Sequence, residues 1–207
     1  MPLSSLDRRG WHKYAMRKWI NLLTESFGTV LNFDPMIDDS LFNLDRKAAM
    51  GTIHPSELKA FAKMLRSHKM DYIRMYHATS HQHDVMGKGL LPTSASRAKS
   101  IQSTHGFVYL SYDPNRAINF ARMAYAGNSN TKIVVYAVDL LVKRLLPDHD
   151  QLYNKRMWGG NADIGSTIAD SMIYGGGARV RGKIDPTQIH IWGTFDRNGD
   201  RIEEDDA

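Results

Sequence analysis

Apolar residues recur with a helical period along the first third of the chain. One face of a predicted helix that ends at Gly28 carries Trp11, Tyr14, Ala15 and Leu22. A later apolar stripe, with Ser56 as its predicted N-cap, contains Leu58, Phe61, Ala62 and Leu65. The segment between them, residues 32–52, is rich in Asp, Asn and Pro, so we expect a loop there with a short helix.

From Met70 onward the pattern changes to short β-rich runs. The predicted strands lie in 70–80, 106–112, 131–140, 175–184 and 188–195. Between the second and third strands, Asp113 and Pro114 begin a predicted helix that ends at Gly127. Strands with interspersed helices, but without a regular strand–helix–strand alternation, predict an α+β fold rather than a parallel doubly wound sheet.

Composition and charge narrow the protein class. The 207 residues are 42% hydrophobic and 24% charged, with no cysteine, so a disulfide framework and a thiolate nucleophile are excluded. No apolar run is long enough for a membrane span, and the N-terminus is too polar for a signal peptide. These features predict a cytoplasmic protein without a membrane partner.

The formal charge of +5 is unevenly distributed. Residues 196–207 contain six acidic residues and two arginines, a net −4 that leaves +9 on the rest of the chain. A basic body attracts partners that bear phosphate, such as a nucleic acid or a dinucleotide, although a solvated basic surface explains the same charge. We expect the acidic tail to be flexible.

Three candidate motifs do not predict a site. His81 and His83 lie near His77 and Asp84, but without a second ligand cluster they predict no metal site. The glycine-rich run at 175–182 lacks the lysine and hydroxyl residues of a phosphate-binding loop and precedes a strand. The segment 145–154 contains Asp148 and Asp150, which are interpreted as solvated acids of a polar loop.

Five short motifs occur in a characteristic order. They are His77-Ala78-Thr79 at a strand end, Gly89-Leu90 with Pro92, Val108 to Ser111, the alanine-rich segment Ala117 to Ala124, and Ile184 with Pro186 and Ile189. This order resembles the ADP-ribosyltransferase superfamily, in particular its poly(ADP-ribose) polymerase-like and tRNA 2′-phosphotransferase-like branch. The resemblance covers residues 70–195.

The resemblance implies an α+β fold with split antiparallel β-sheets and flanking helices. It divides the chain into a helical N-terminal extension (1–69), an ADP-ribosyltransferase-like domain (70–195) and the acidic tail (196–207). The implied enzyme is a glycosyltransferase that moves ADP-ribose from NAD to a protein or nucleic-acid acceptor and releases nicotinamide.

The implied site residues follow from the matched motifs. His77 would hydrogen-bond a ribose hydroxyl, and Tyr109 would stack on the nicotinamide. Backbone groups of Ala78 would hold the nicotinamide amide, and Thr79 and Ser111 would add hydroxyls. The purely structural alternatives are a strand-end histidine whose hydrogen bonds are made within the protein and a tyrosine packed in the core. We expect His77 and Tyr109 on neighbouring strands, with both side chains facing one cleft.

The chain departs from the family's pattern at one position. Many members carry a glutamate at the start of the late strand, where this chain has Gly177 or Ala178, and no glutamate occurs between Glu57 and Glu203.

The candidates to replace that glutamate are a carboxylate and the nearby arginines. Asp170 would supply the carboxylate. Arg179, together with Arg181 and Arg122, would bind phosphate through bidentate hydrogen bonds. The alternatives left open are an NAD-using RNA 2′-phosphotransferase and an inactive module that binds NAD or nucleic acid.

Overall fold

A computed structural model describes residues 35–100, 103–125, 131–158 and 164–202. The described residues belong to one compact unit. The predicted helix that ends at Gly28 lies outside them. The architecture is α+β, with one antiparallel sheet and helices on both of its faces, as the strand and helix patterns predict.

The helices precede and interrupt the strands. The α-helices are α1 (Pro35–Ala49), α2 (Pro55–Ser67), α3 (Val85–Lys88), α4 (Ala95–Ser100), α5 (Pro114–Ala124), α6 (His149–Trp158) and α7 (Ile168–Asp170). Shorter turns are the 3-10 helices Val142–Arg144 and Pro186–Gln188 and the π-helix Ser171–Gly175. The 15-residue α1 fills most of the segment 32–52, where a loop with only a short helix was predicted. His54, not Ser56, is the N-cap of α2.

Six strands form the sheet in the order β4-β2-β1-β3-β5-β6. Their bounds are β1 (Tyr72–Ser80), β2 (Phe107–Ser111), β3 (Ile133–Leu141), β4 (Gly177–Arg181), β5 (Ile189–Phe195) and β6 (Arg201–Ile202). All neighbouring pairs are antiparallel. Because β6 pairs with the end of β5, regular structure continues to residue 202, past the predicted start of the tail.

The two faces of the sheet carry separate hydrophobic clusters. The larger cluster joins Ile73 and Met75 of β1 to Leu41 of α1 and Phe61 of α2. The smaller cluster joins Tyr76 of β1 to α5. α1 and α2 therefore share a core with the sheet and pack against it in the same folded unit.

The helix α5 begins as its local sequence predicts. Asp113 has an extended backbone, and its carboxylate accepts a hydrogen bond from the Asn115 amide at 2.9 Å. Pro114 occupies the first turn, where its missing N–H costs nothing. Ala117, Ile118 and Ala121 then face the sheet and are buried. The helix ends at Ala124, before the predicted stop at Gly127.

The sheet is continuous on one side of β1 and nearly interrupted on the other. β1 pairs with β3 along its whole length, from Tyr72 opposite Leu141 to Ser80 opposite Ile133. With β2, its described register contains one pair, Tyr76 opposite Ser111. The ladder between β1 and β2 therefore opens beyond Tyr76, and residues 77–80 of β1 face this opening.

Two motifs of the resemblance meet in space. Leu90 and Ile184 form an isolated bridge in which each amide donates to the other carbonyl, at 3.1 and 3.0 Å. Gly89 has a φ of 76°, and a Cβ there would overlap the Ile184 carbonyl oxygen. Glycine is therefore required where these segments approach each other.

We expect Gly177→Ala to destabilise the protein by about 1–3 kcal/mol, the usual range for forcing an extra methyl group into a packed site. A Cβ at Gly177 would overlap the Leu110 carbonyl oxygen on β2. Gly175→Ala is the matched control, because its Cβ would meet the Gln151 side chain at 3.4 Å, an ordinary contact. Urea unfolding of both variants measures the difference, and equal stabilities would contradict the steric argument.

Candidate functional site

His77 lies on β1 directly after the last register pair with β2 and is half-buried. The predicted position at the strand end is wrong, because β1 stays paired with β3 as far as Ser80. Its Nδ1 is 2.9 Å from the carbonyl oxygen of Tyr109. A carbonyl only accepts hydrogen bonds, so Nδ1 carries the proton and donates. In the neutral ring, Nε2 is then an acceptor, and no described residue is hydrogen-bonded to it.

Burial lowers the pKa of the His77 imidazole, and this effect exceeds the opposite effect of the hydrogen bond to the Tyr109 carbonyl. Electrostatic interactions with His83 and Arg97 lower it further. The ring is therefore neutral near pH 7, with Nε2 free to accept a hydrogen bond from a hydroxyl group.

His77 and Tyr109 lie on neighbouring strands, as predicted, but their side chains do not share one face. Side chains alternate along a strand, so the pair of Tyr76 with Ser111 assigns Tyr109 to the face of Tyr76 and His77 to the opposite face. The expectation that both side chains face one cleft is therefore wrong, and the resemblance loses its main structural support. The structure instead brings the His77 ring to the main chain of Tyr109.

The Tyr109 hydroxyl is held by a polar network. It donates to Asp150 Oδ2 at 2.5 Å and accepts from the Thr104 amide at 2.9 Å. The same Asp150 accepts from the Thr104 amide and from Thr104 Oγ1, each at 2.8 Å. Tyr109, Thr104 and Asp150 therefore fix one another, although they come from three separate segments.

Arg179 lies beside this network on the same face as Tyr109, which it opposes in the β2–β4 register. Its side chain is almost fully buried, and its guanidinium lies 4.2 Å from the centre of the Phe107 ring. Nη1 is 3.8 Å from Asp150 Oδ2, too far for a hydrogen bond. Nε and Nη1 are buried without an acceptor among the described residues.

Buried hydrogen-bond donors without acceptors are energetically costly, and an anionic group would accept hydrogen bonds from both Nε and Nη1 of Arg179. The guanidinium presents its donors in a fork that matches a phosphate or carboxylate. Ser103 Oγ, next to Thr104 in the chain, is a third buried polar atom without a partner among the described residues. This region can therefore bind an anion.

A glutamate cannot be accommodated at the start of β4 in this backbone. Gly177 leaves no room for a side chain, because a Cβ there would overlap the main-chain carbonyl group of Leu110. Ala178 is fully buried in the larger hydrophobic cluster. The chain therefore differs from the glutamate-bearing pattern in its backbone packing as well as in its sequence.

Asp170, the predicted substitute for that glutamate, is a capping residue. Its Oδ2 accepts from the amide and the hydroxyl of Thr167, at 2.9 and 2.6 Å, and so completes a capping box at the start of α7. The side chain is buried. These contacts already explain the residue, and none of them joins it to His77 or Tyr109.

Thr79 and Ser111 both have structural partners. Thr79 Oγ1 is 2.9 Å from the Tyr125 hydroxyl. Ser111 Oγ donates to the Gly176 carbonyl at 2.8 Å and ties the end of β2 to the turn before β4. Both side chains are buried.

Ala78 and Arg122 have different positions. Ala78 opposes Val135 in the β1–β3 register, so its backbone borders the opening beside β1. Arg122 is exposed in the last turn of α5, and its Nε donates to the Arg197 carbonyl at 3.0 Å. The structure therefore does not bring Arg122 together with His77, Tyr109 or Arg179.

The roles of Asp148 and Asp150 were not predicted from the sequence, because both residues were assigned to a solvated loop. Asp148 is 6% exposed, and its Oδ1 accepts from the amides of Asp150 and Gln151, each at 3.1 Å. An aspartate directly before a helix is a typical cap, so this pattern was the available signal. The loop prediction is wrong, because α6 begins at His149.

Sequence comparison assigns no family: the chain matches no protein-family model and none of the curated proteins. Within the described residues, no three His, Asp or Glu side chains form a group that could hold a metal ion. In the same part of the chain, no helix combines the length and hydropathy of a transmembrane span.

We expect His77→Asn to remove a pH-dependent component of stability. The folded protein lowers the histidine pKa below its ordinary value of 6.5, so the unfolded chain binds the proton more readily. Wild-type stability should therefore fall as the pH decreases through about 6.5. The variant keeps an amide donor but does not titrate.

The difference in unfolding free energy between wild type and variant should thus shrink between about pH 8 and pH 5, as measured by urea titration. A difference that is independent of pH would show that His77 has the same pKa in the folded and unfolded states.

Proposed function

We propose that this protein is an NAD-dependent ADP-ribosyltransferase that transfers ADP-ribose to a protein or nucleic-acid acceptor and releases nicotinamide. The observation that carries the proposal is His77 at the opening between β1 and β2, with Nδ1 bound to the Tyr109 carbonyl and Nε2 left as an acceptor. The ordered motifs, the nearly interrupted antiparallel sheet and the Leu90–Ile184 bridge support it.

The reaction needs positioning and charge stabilisation more than bond-making groups. The bond between ribose C1′ and the nicotinamide nitrogen breaks, and its electron pair moves to the ring, which leaves as neutral nicotinamide. The acceptor atom then bonds to C1′ and loses a proton. His77 Nε2 would accept a hydrogen bond from a ribose hydroxyl. The Tyr109 side chain lies on the opposite face of the sheet, so the contact with nicotinamide that the resemblance implies for it is not part of this proposal.

Arg179 favours a second candidate, an NAD-using RNA 2′-phosphotransferase. Its buried Nε and Nη1 lack acceptors among the described residues, and a phosphate would supply them. Both reactions release nicotinamide from NAD, so the acceptor separates them. A module that binds NAD without turnover differs from both because it releases no nicotinamide.

Wild-type protein incubated with NAD and a cell lysate is expected to release nicotinamide, measured by mass spectrometry. His77→Ala should lower the rate by roughly tenfold or more, because it removes a hydrogen bond to the reacting ribose. His81→Ala is the matched control, since this histidine is exposed and, among the described residues, its ring is hydrogen-bonded only to the Lys132 carbonyl. NAD binding without nicotinamide release would favour the binding module, and equal rates in both variants would refute the role of His77.

Arg179→Ala should weaken the binding of an acceptor that bears phosphate. It should also reduce the slope of log affinity against log salt concentration by about one, because one phosphate contact is lost. Arg181→Ala is the matched control, as this arginine lies on the same strand and face but is exposed. Affinity for labelled RNA, measured at several salt concentrations, tests this. Equal effects of the two substitutions would identify a diffuse basic surface instead of a phosphate site at Arg179.

Asp170→Asn tests the other substitute for the missing glutamate. Its carboxylate caps α7, so the substitution should lower the unfolding free energy by about 1 kcal/mol without changing the salt dependence of acceptor binding. Urea unfolding and the same RNA titrations measure both quantities. A change in salt dependence would place Asp170 at the phosphate site.

A further inference from the structure

Tyr136 lies directly beside His77 in the sheet. The two residues oppose each other in the β1–β3 register, and opposed residues of an antiparallel pair project from the same face. Their Cβ atoms are therefore about 4.5–5.5 Å apart. Tyr109 projects from the other face, so Tyr136 is the tyrosine that shares a face with His77.

The row of side chains that contains His77 and Tyr136 is accessible to solvent on both flanks. The neighbouring row of the same face consists of buried residues from β1, β3 and β5, namely Met75, Val138 and Ile189. In the row of Tyr136, His77 is only half-buried, and Ile191 on β5 is 53% exposed. Tyr136 therefore lies at the border of the larger hydrophobic cluster, between two residues that solvent reaches.

The register of β3 with β5 shifts at the same row. Val135 opposes Gly193, but Tyr136 opposes Ile191, so Trp192 is an extra residue of β5 at this point. Such a β-bulge increases the local twist and changes the direction of side chains, and bulges are frequent beside active sites. Among the described strand pairs, this one irregularity therefore lies next to Tyr136.

The Tyr136 hydroxyl has no hydrogen-bond partner among the described residues, although the residue is only 4% exposed. Buried polar groups are normally paired, so an unpaired one indicates a missing partner. Burial, followed by the Asp84 charge, raises the pKa of this hydroxyl, which therefore stays protonated at neutral pH. Tyr136 thus offers a donor and His77 Nε2 an acceptor, and a ribose hydroxyl, which both accepts and donates, is complementary to this pair.

We propose that Tyr136 is a substrate-binding residue whose hydroxyl donates a hydrogen bond to the same ribose that His77 binds. This inference rests on the proposed function. It adds a second contact with the nicotinamide-side ribose and a preference for ribose over deoxyribose at that position. The Tyr136 ring stays packed in the larger hydrophobic cluster, and only the hydroxyl contacts the ligand.

Tyr136→Phe removes the hydroxyl and keeps the ring. It should weaken binding of carba-NAD, an analogue that keeps the ribose hydroxyls but is not cleaved, by about 3- to 10-fold, the range for one lost hydrogen bond. Folding stability should not fall, because the hydroxyl is buried without a partner in the part of the chain that the structure describes. Calorimetry and urea unfolding measure the two quantities. Lower stability with unchanged affinity would identify a purely structural residue and overturn the proposal.

Tyr76→Phe is the matched control. Tyr76 precedes His77 on β1, is also buried, and its hydroxyl likewise has no hydrogen-bond partner in the described ranges, but it belongs to the cluster on the opposite face. This variant should bind carba-NAD as wild type does. Equal weakening by the two substitutions would show that loss of a tyrosine hydroxyl acts through the sheet as a whole, which would overturn the direct contact.

Deoxy analogues of carba-NAD test which atom Tyr136 binds. One analogue lacks the 2′-hydroxyl and the other the 3′-hydroxyl of the nicotinamide-side ribose. Tyr136→Phe should leave the affinity for one of them unchanged, because the hydroxyl that Tyr136 binds is already missing, and should weaken the other. Equal weakening of both analogues would mean that Tyr136 does not bind this ribose.

The wild-type protein separates failure of this inference from failure of the proposed function. Wild type that neither binds carba-NAD nor releases nicotinamide from NAD would refute the proposed function and the role of Tyr136 together. Wild type that binds carba-NAD no more tightly than Tyr136→Phe does would refute the role of Tyr136 alone.

Discussion

The pairing of Tyr76 with Ser111 joins the two parts of the sheet, and the candidate site depends on it. Ser111 strengthens this junction because its hydroxyl donates to the Gly176 carbonyl and accepts from the Asp113 amide. Beyond the junction the ladder opens. The Tyr109 carbonyl then takes its hydrogen bond from the His77 ring, a side-chain donor, which satisfies a group that would be costly to leave unpaired.

On its other side, Ser111 opposes Gly177 of β4, and the packing there limits where an acidic side chain can lie. The main chains of β2 and β4 approach so closely at Gly177 that no side chain fits there. A carboxylate near this position therefore comes from another segment. Leu146 pairs with the other edge of β4 at Arg179, and α6 follows directly and brings Asp150 to Tyr109 and Arg179.

Local signals predicted those elements whose cause is local. Asp113, Pro114 and the alanine-rich face predicted α5, and alternating β-prone residues predicted β1 to β5. In α1, Ile37, Leu41 and Leu44 follow a helical period, but the Asp and Asn residues around them favoured the prediction of a loop with only a short helix. In the described part of α6, only Leu152 is buried, so that helix offers no apolar stripe to recognise.

The sequence by itself determined the type and order of most elements, the presence of His77 on the first strand and the absence of a glutamate near β4. Only the tertiary structure decided that His77 and Tyr109 leave the sheet on opposite faces, that Asp170 is a cap and that Arg179 is buried beside Asp150. The physical reason is distance along the chain. Tyr109 and Asp150 are 41 residues apart, and Ser111 and Gly176 are 65 apart. Such contacts form only when separate segments pack together, and the period of apolar residues within each segment carries no information about its partner.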